Sequence, residues 1–199
     1  MKAKVWYPVV TFAVILTTGS ISAQETMEKS HKEKMPVFCS EFLGQVDFVQ
    51  GRISQLAEAV PQKDYTWRPA EGVRSISEVY RHVSFGNYAF IKFAGYEVPA
   101  EANFDLDREK WDTATTDKKE IADAMEKSFA SVKMTAKKIG EDDLDKTVHV
   151  FGMDMSLRNF MVTMLNHMHE HLGQSIAYAR SVGVTPPWTA KAQAQEVSK

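Results

Sequence analysis

The chain has 199 residues, 24 Lys and Arg against 26 Asp and Glu, a formal net charge of −2 and 44 % hydrophobic residues. A mildly acidic chain with no basic block carries no electrostatic footprint for nucleic acid, so no nucleic-acid partner is expected. Cys39 is the only cysteine, which excludes an internal disulfide and leaves stability to a packed core, with a metal as its possible supplement.

Lys2 and Lys4, the apolar run from Val5 to Leu16, and Ser20-Ile21-Ser22-Ala23 follow the plan of a secretory signal peptide cleaved after Ala23. The apolar run is shorter than the roughly 20 residues that span a bilayer. The mature chain is therefore expected to be exported, periplasmic or secreted, without stable membrane insertion. Residues 24–35 are charged and read as a flexible leader in which His31 is solvated. Residues 36–188 form one domain, long enough to bury a sizeable core.

Phe38, Phe42, Val46, Val49, Ile53, Leu56 and Val60 recur at steps of three and four, which predicts a first amphipathic helix ending before Pro61. Cys39 sits beside that stripe and reads as a half-buried core residue. Residues 62–74 form a connection, over which Tyr65 and Trp67 fold back onto apolar surface. Ser75-Ile76-Ser77-Glu78 is a capping box that opens a second helix, with Gly95 at its end. On that helix His82 faces inward between Val79 and Val83. Gly86, one turn on, makes room either for a ligand or for a close helix contact.

Residues 96–115, with Trp111, read as a long loop able to cover one end of the domain. Thr116 and Asp117 start a third helix, carried by Ile121, Met125, Phe129, Val132, Ala136 and Ile139. Val148-His149-Val150-Phe151 before Gly152 predicts a short extended hairpin with His149 exposed. A fourth helix runs from Ser156 to about Val182, where Gly183 and Pro186-Pro187 end it. Residues 189–199 are polar and read as a disordered tail. Four amphipathic segments with almost no strand signal predict an all-α four-helix bundle.

The fourth helix carries the octet His167-Met168-His169-Glu170-His171-Leu172-Gly173-Gln174. Residues four apart on a helix differ by about 40° of rotation and roughly 6 Å of rise, so His167 and His171 project side by side. His169 lies about 200° around and cannot join them. His82, on the other strongly apolar helix, is the best placed third donor. Three neutral imidazoles suit a divalent transition metal such as zinc, nickel, iron or copper, with zinc or nickel taken first. Gln174 or Tyr178 is placed to hold a second ring nitrogen. Three donors leave a tetrahedron one ligand short, the mark of a catalytic or exchangeable site. The octet also satisfies H-x-x-E-H, an inverted zinc-peptidase signature with Glu170 as base. That pattern needs a downstream glutamate ligand, and only Glu196 remains.

Tyr65-Thr66-Trp67-Arg68-Pro69 leading to His82, then His167-x3-His171-x-Gly173-Gln174, Tyr178-x-Arg180 and Gly183-Val184-Thr185-Pro186-Pro187, together resemble the DinB/YfiT-like family over residues 36–188. The resemblance implies a metal held by His82, His167 and His171, pairing into a homodimer, and activities such as thiol S-transfer or thiol-dependent isomerisation. Leu172 stands where the family often has a basic residue, and an oxidising compartment argues against a pool of reduced thiol. The expectation is thus an exported metalloprotein acting on a small molecule, as a hydrolase or thiol transferase. The competing reading is a non-catalytic, stress-related scaffold that binds a metal or ligand.

Overall fold

A computed structural model describes residues 35–197. The expected signal peptide, His31 and most of the expected leader lie outside the described residues. Four long helices, α1 (Val37–Ala59), α2 (Ile76–Phe93), α4 (Lys118–Ala136) and α5 (Leu157–Ser181), make the all-α bundle. Between α2 and α4 lies a short helix, α3 (Arg108–Asp112). Between α4 and α5 lie β1 (Thr147–Val150) and β2 (Met153–Ser156), and α6 (Pro187–Val197) follows α5.

Local chemistry sets the helix ends. Val60 leaves helical geometry immediately before Pro61, whose ring removes the next donor. The capping box at α2 is complete: Glu78 N donates to Ser75 Oγ, and Ser75 N donates to Glu78 Oε2 at 2.9 Å. Asp117 caps α4 through Glu120 N, and Ser156 caps α5 through Asn159 N. The predicted stripes are the core, since Phe42, Val46, Val49, Ile53, Val79, Val83, Ile121, Phe129 and Met161 are all buried. Cys39 is fully buried rather than half-buried, and burial pushes its thiol pKa up.

Around the bundle, α1 packs on α4 and α5, and α2 packs on the same two helices. Sequence neighbours α1 and α2 therefore stand diagonally, as do α4 and α5. In a simple up-and-down bundle the second and fourth long helices would be diagonal; here α2 and α5 are adjacent. The connection before α2 spans the diagonal as a packed segment, with Tyr65 buried and its hydroxyl donating to Ala57 O at 2.7 Å.

Two segments differ from expectation, the 96–115 loop and the C-terminal tail, while the hairpin between them is as expected. The 96–115 segment carries α3 and is fastened to α2: Arg81 Nε donates to Trp111 O at 3.0 Å, and Trp111 Nε1 donates to Arg81 O at 3.1 Å. The Arg81 guanidinium also lies over the indole at 4.4 Å. The hairpin is present, antiparallel, with Val148 opposite Met155 and His149 opposite Asp154. His149 is exposed as expected and contacts Asp154 at 2.7 Å. The tail read as disordered is instead helix α6 through Val197. Pro187 occupies a first-turn position where a missing N–H costs nothing, and Ala, Lys and Gln beyond it favour helix. Trp188 anchors its start against Arg52, 4.3 Å from guanidinium carbon to ring. Among the described residues no helix is long and apolar enough to cross a membrane.

Candidate metal centre

The adjacency of α2 and α5 brings His82, His167 and His171 together, with one ligand atom from each within 4.8 Å of the others. Among the described residues this is the sole such cluster, and it contains no carboxylate. Its third donor is His82 and not Glu196, which is exposed on α6, so the inverted-peptidase ligand set is not built. His169 points away and stacks on Phe48 of α1 with centroids 6.2 Å apart. Glu170 is exposed.

His82 Nε2 and His167 Nε2 are 3.3 Å apart. Two nitrogens each about 2.05 Å from zinc at the tetrahedral angle stand about 3.3 Å apart, so this separation suits a shared ion. Each ring is set by a different neighbour. His171 Nδ1 donates to Gln174 Oε1 at 2.8 Å, while Gln174 Nε2 donates to the Tyr178 hydroxyl at 3.0 Å. The proton on Nδ1 leaves the Nε2 lone pair of His171 free to ligate. Tyr178 is itself braced edge-on by Trp67, centroids 5.3 Å apart. Both residues expected to hold a second ring nitrogen thus form one chain behind His171.

Asp112, at the end of α3, was not anticipated from the sequence. Its Oδ2 lies 3.3 Å from His82 Nδ1 and accepts from Arg74 Nε at 3.0 Å. The contact is an electrostatic approach without hydrogen-bond geometry, and a carboxylate facing the ring nitrogen remote from the metal favours that ring orientation and raises its basicity. The residue sits in a segment with no helical period, and tertiary contacts put it there: the Arg81–Trp111 fastening and its own bond from Arg74. Gly86 resolves its two open readings in favour of close contact. A Cβ at position 86 would overlap His167 Cε1 and stand 3.0 Å from Nδ1. The glycine is the slot for that ring.

Electrostatics favour the neutral ring at His167 and His171. Burial, then the neighbouring His171, His82 and Arg74, lower the His167 pKa from 6.5 to about 3. Burial also lowers His171, partly opposed by its bond to Gln174. Neutral imidazoles are the ligating form. His167 Nδ1 and His82 Nδ1 are both buried without a hydrogen-bond partner among the described residues.

Two clefts flank the histidines. One, of about 480 Å³ and mostly apolar, reaches His82 and His167. The other, of about 540 Å³, is polar and runs past Asp112 and Gln174.

Two neighbouring rods that present three imidazoles to each other, one ligand short of closure, define a bundle protein with a histidine metal site. A profile of the DinB superfamily matches residues 45–175, and the chain belongs to that superfamily. No curated protein matches the sequence. Its fold is similar to that of a DinB-like protein from Bacillus cereus ATCC 10987, at 20 % identity over 73 % of this chain and 93 % of that one, with a TM-score of 0.64. It is similar to the DinB-like YjoA of Bacillus subtilis at 21 % identity, over 73 % and 93 %, with a TM-score of 0.55. It is also similar to YfiT from Bacillus subtilis, described as a probable metal-dependent hydrolase with an unusual four-helix bundle topology. There the identity is 13 % over 74 % of this chain and 89 % of that one, with a TM-score of 0.59.

Proposed function

We propose that the chain is a metal-dependent enzyme acting on a small molecule, hydrolysis being the first reaction to test, with zinc or nickel held by His82, His167 and His171. The carrying observation is the 3.3 Å approach of the His82 and His167 Nε2 atoms, with His171 beside them. The description of YfiT as a probable metal-dependent hydrolase supports the same reading. When bound, such an ion supplies Lewis acidity toward a substrate oxygen or sulfur and makes water more acidic. The protein's own part is to hold the three rings in place. Gln174 keeps the His171 proton on Nδ1, Asp112 aligns His82, and Gly86 admits His167. The apolar walls of the nearer cleft keep bulk water from a bound substrate.

Thiol transfer is the alternative reaction, and its thiol would come from the ligand, because Cys39 is buried in the core. The non-catalytic scaffold is favoured by one observation. The carboxylate lining the apolar cleft, Glu170, is exposed, so no general base is built into it. A panel of esters, amides and electrophiles with added thiol, run on zinc- and nickel-loaded protein, separates these readings. Turnover that disappears in His82→Ala supports the enzyme. No turnover, with a ligand still raising the melting temperature, gives the scaffold. Glu170→Ala keeps metal and activity; loss of activity with metal retained would make Glu170 the base.

Export belongs to the same proposal and rests on residues 1–23; a native N-terminus at Met1 would contradict it. The homodimer rests on the family resemblance, and light scattering on the mature chain tests it.

A further inference from the structure

The apolar cleft beside the triad is lined by Phe85, Phe90, Phe93, Phe151, Phe160 and Met164. Its volume of about 480 Å³ falls within the roughly 300–1,000 Å³ typical of small-molecule sites. Phe151 is its unusual member. It occupies the first corner of the hairpin turn with φ 56, followed by Gly152 with φ 75. Both corners of this turn need positive φ, which asparagine or aspartate before glycine accepts and a bulky aromatic does not. Phe151 is also 72 % exposed, so core burial does not compensate for that conformation. A strained residue whose side chain overhangs a cleft points to a role in that cleft.

The rim carries two charges, Arg108 from α3 and Glu170 from α5, and they form no ion pair with each other. Arg108 lines the polar cleft as well. The other arginines of that cleft are engaged, Arg68 with Glu78 at 2.6 Å and Arg74 with Asp112 at 3.0 Å. Arg108 has no carboxylate partner among the described residues, and it borders the cleft that reaches His82 and His167.

We propose that the site takes an amphiphilic organic monoanion, with an acyl or aryl body lying among the phenylalanines beneath Phe151 and its anionic group at Arg108. Glu170 disfavours a second negative charge on the same rim. The assignment of this ligand as substrate rests on the triad being the reaction centre.

Calorimetric titration of the full mature chain, metal-free and zinc-loaded, tests the proposal with octanoate, butyrate, octanamide and octylamine as probes. Each methylene buried strengthens binding by up to roughly fourfold. Octanoate should therefore bind at least tenfold more tightly than butyrate, and more tightly than octylamine, with or without zinc. Arg108→Gln should weaken octanoate about tenfold and leave octanamide unchanged. Phe151→Asn should weaken octanoate severalfold while melting no lower than the parent, since asparagine suits the turn. Octanoate binding that needs zinc and ignores Arg108→Gln would put the anion on the metal and overturn the proposal. So would equal binding of butyrate or octylamine, or a Phe151→Asn variant that melts lower and binds normally. Zinc uptake without octanoate selectivity overturns the substrate class alone. Octanoate selectivity without zinc uptake overturns the metal reading alone.

Discussion

Gly86 decides where His167 can stand. Alanine would improve the helix by about 1 kcal/mol, but overpacking against an immovable neighbour costs about 1–3 kcal/mol. His167 borders the apolar cleft, so its ring has space to swing away from the new methyl. Gly86→Ala should accordingly change the melting temperature by only a few degrees while lowering zinc affinity at least tenfold; unaltered zinc binding would refute the slot. Asp112 acts through His82, and Asp112→Asn should weaken metal about 10–100-fold, measured by competition with a chelating dye. The histidine pair on α5 was legible because a four-residue step is itself geometry. Gly86 left two meanings open because absence of a side chain does not say what fills the space. Asp112 carried no signal, since its role comes from a tertiary contact and not from any period in its segment.

At the scale of elements, α3 is the piece that joins loop to site. Its link to α2 depends on the reciprocal hydrogen bonds between Arg81 and Trp111, with Tyr88 and Phe104 packed against the indole. Trp111→Phe keeps most of the packing and removes the donor to Arg81 O. It should weaken metal binding severalfold. Combining it with Asp112→Asn should add little beyond Asp112→Asn alone, because both act along one path. Additive losses would separate Trp111 from Asp112. Helix α1, α2, α4 and α5 were legible through their apolar stripes and caps, and the hairpin through its alternation before Gly152. Five-residue α3 is too short to show a period. Helix α6 was obscured because its polarity resembles disorder, although Pro187 and the residues beyond it favour helix.

For the whole molecule, the decisive feature is the order of helices around the bundle, which makes α2 and α5 neighbours. Stripes and caps give the number of rods but not their arrangement, because a connection the length of 60–75 can reach either an adjacent or a diagonal position. The buried neutral site also shapes the pH response of the metal-free fold. His167 takes up a proton below about 6.5 when unfolded but only near pH 3 when folded, because burial opposes its charge. The unfolded state therefore binds more protons across that interval. His167 costs nothing above about pH 6.5, and stability falls as pH drops toward 3. Denaturant midpoints at pH 7.5 and 4.5 should show a smaller drop in His167→Gln than in the parent; an identical drop would contradict the buried neutral ring. Metal stoichiometry by elemental analysis on folded His82→Ala, His167→Ala, His171→Ala and His169→Ala tests the shared histidine site most directly. About one equivalent is expected in the parent and in His169→Ala and none in the other three; full loading of His82→Ala, or equal loss in all four, would contradict a metal shared by His82, His167 and His171.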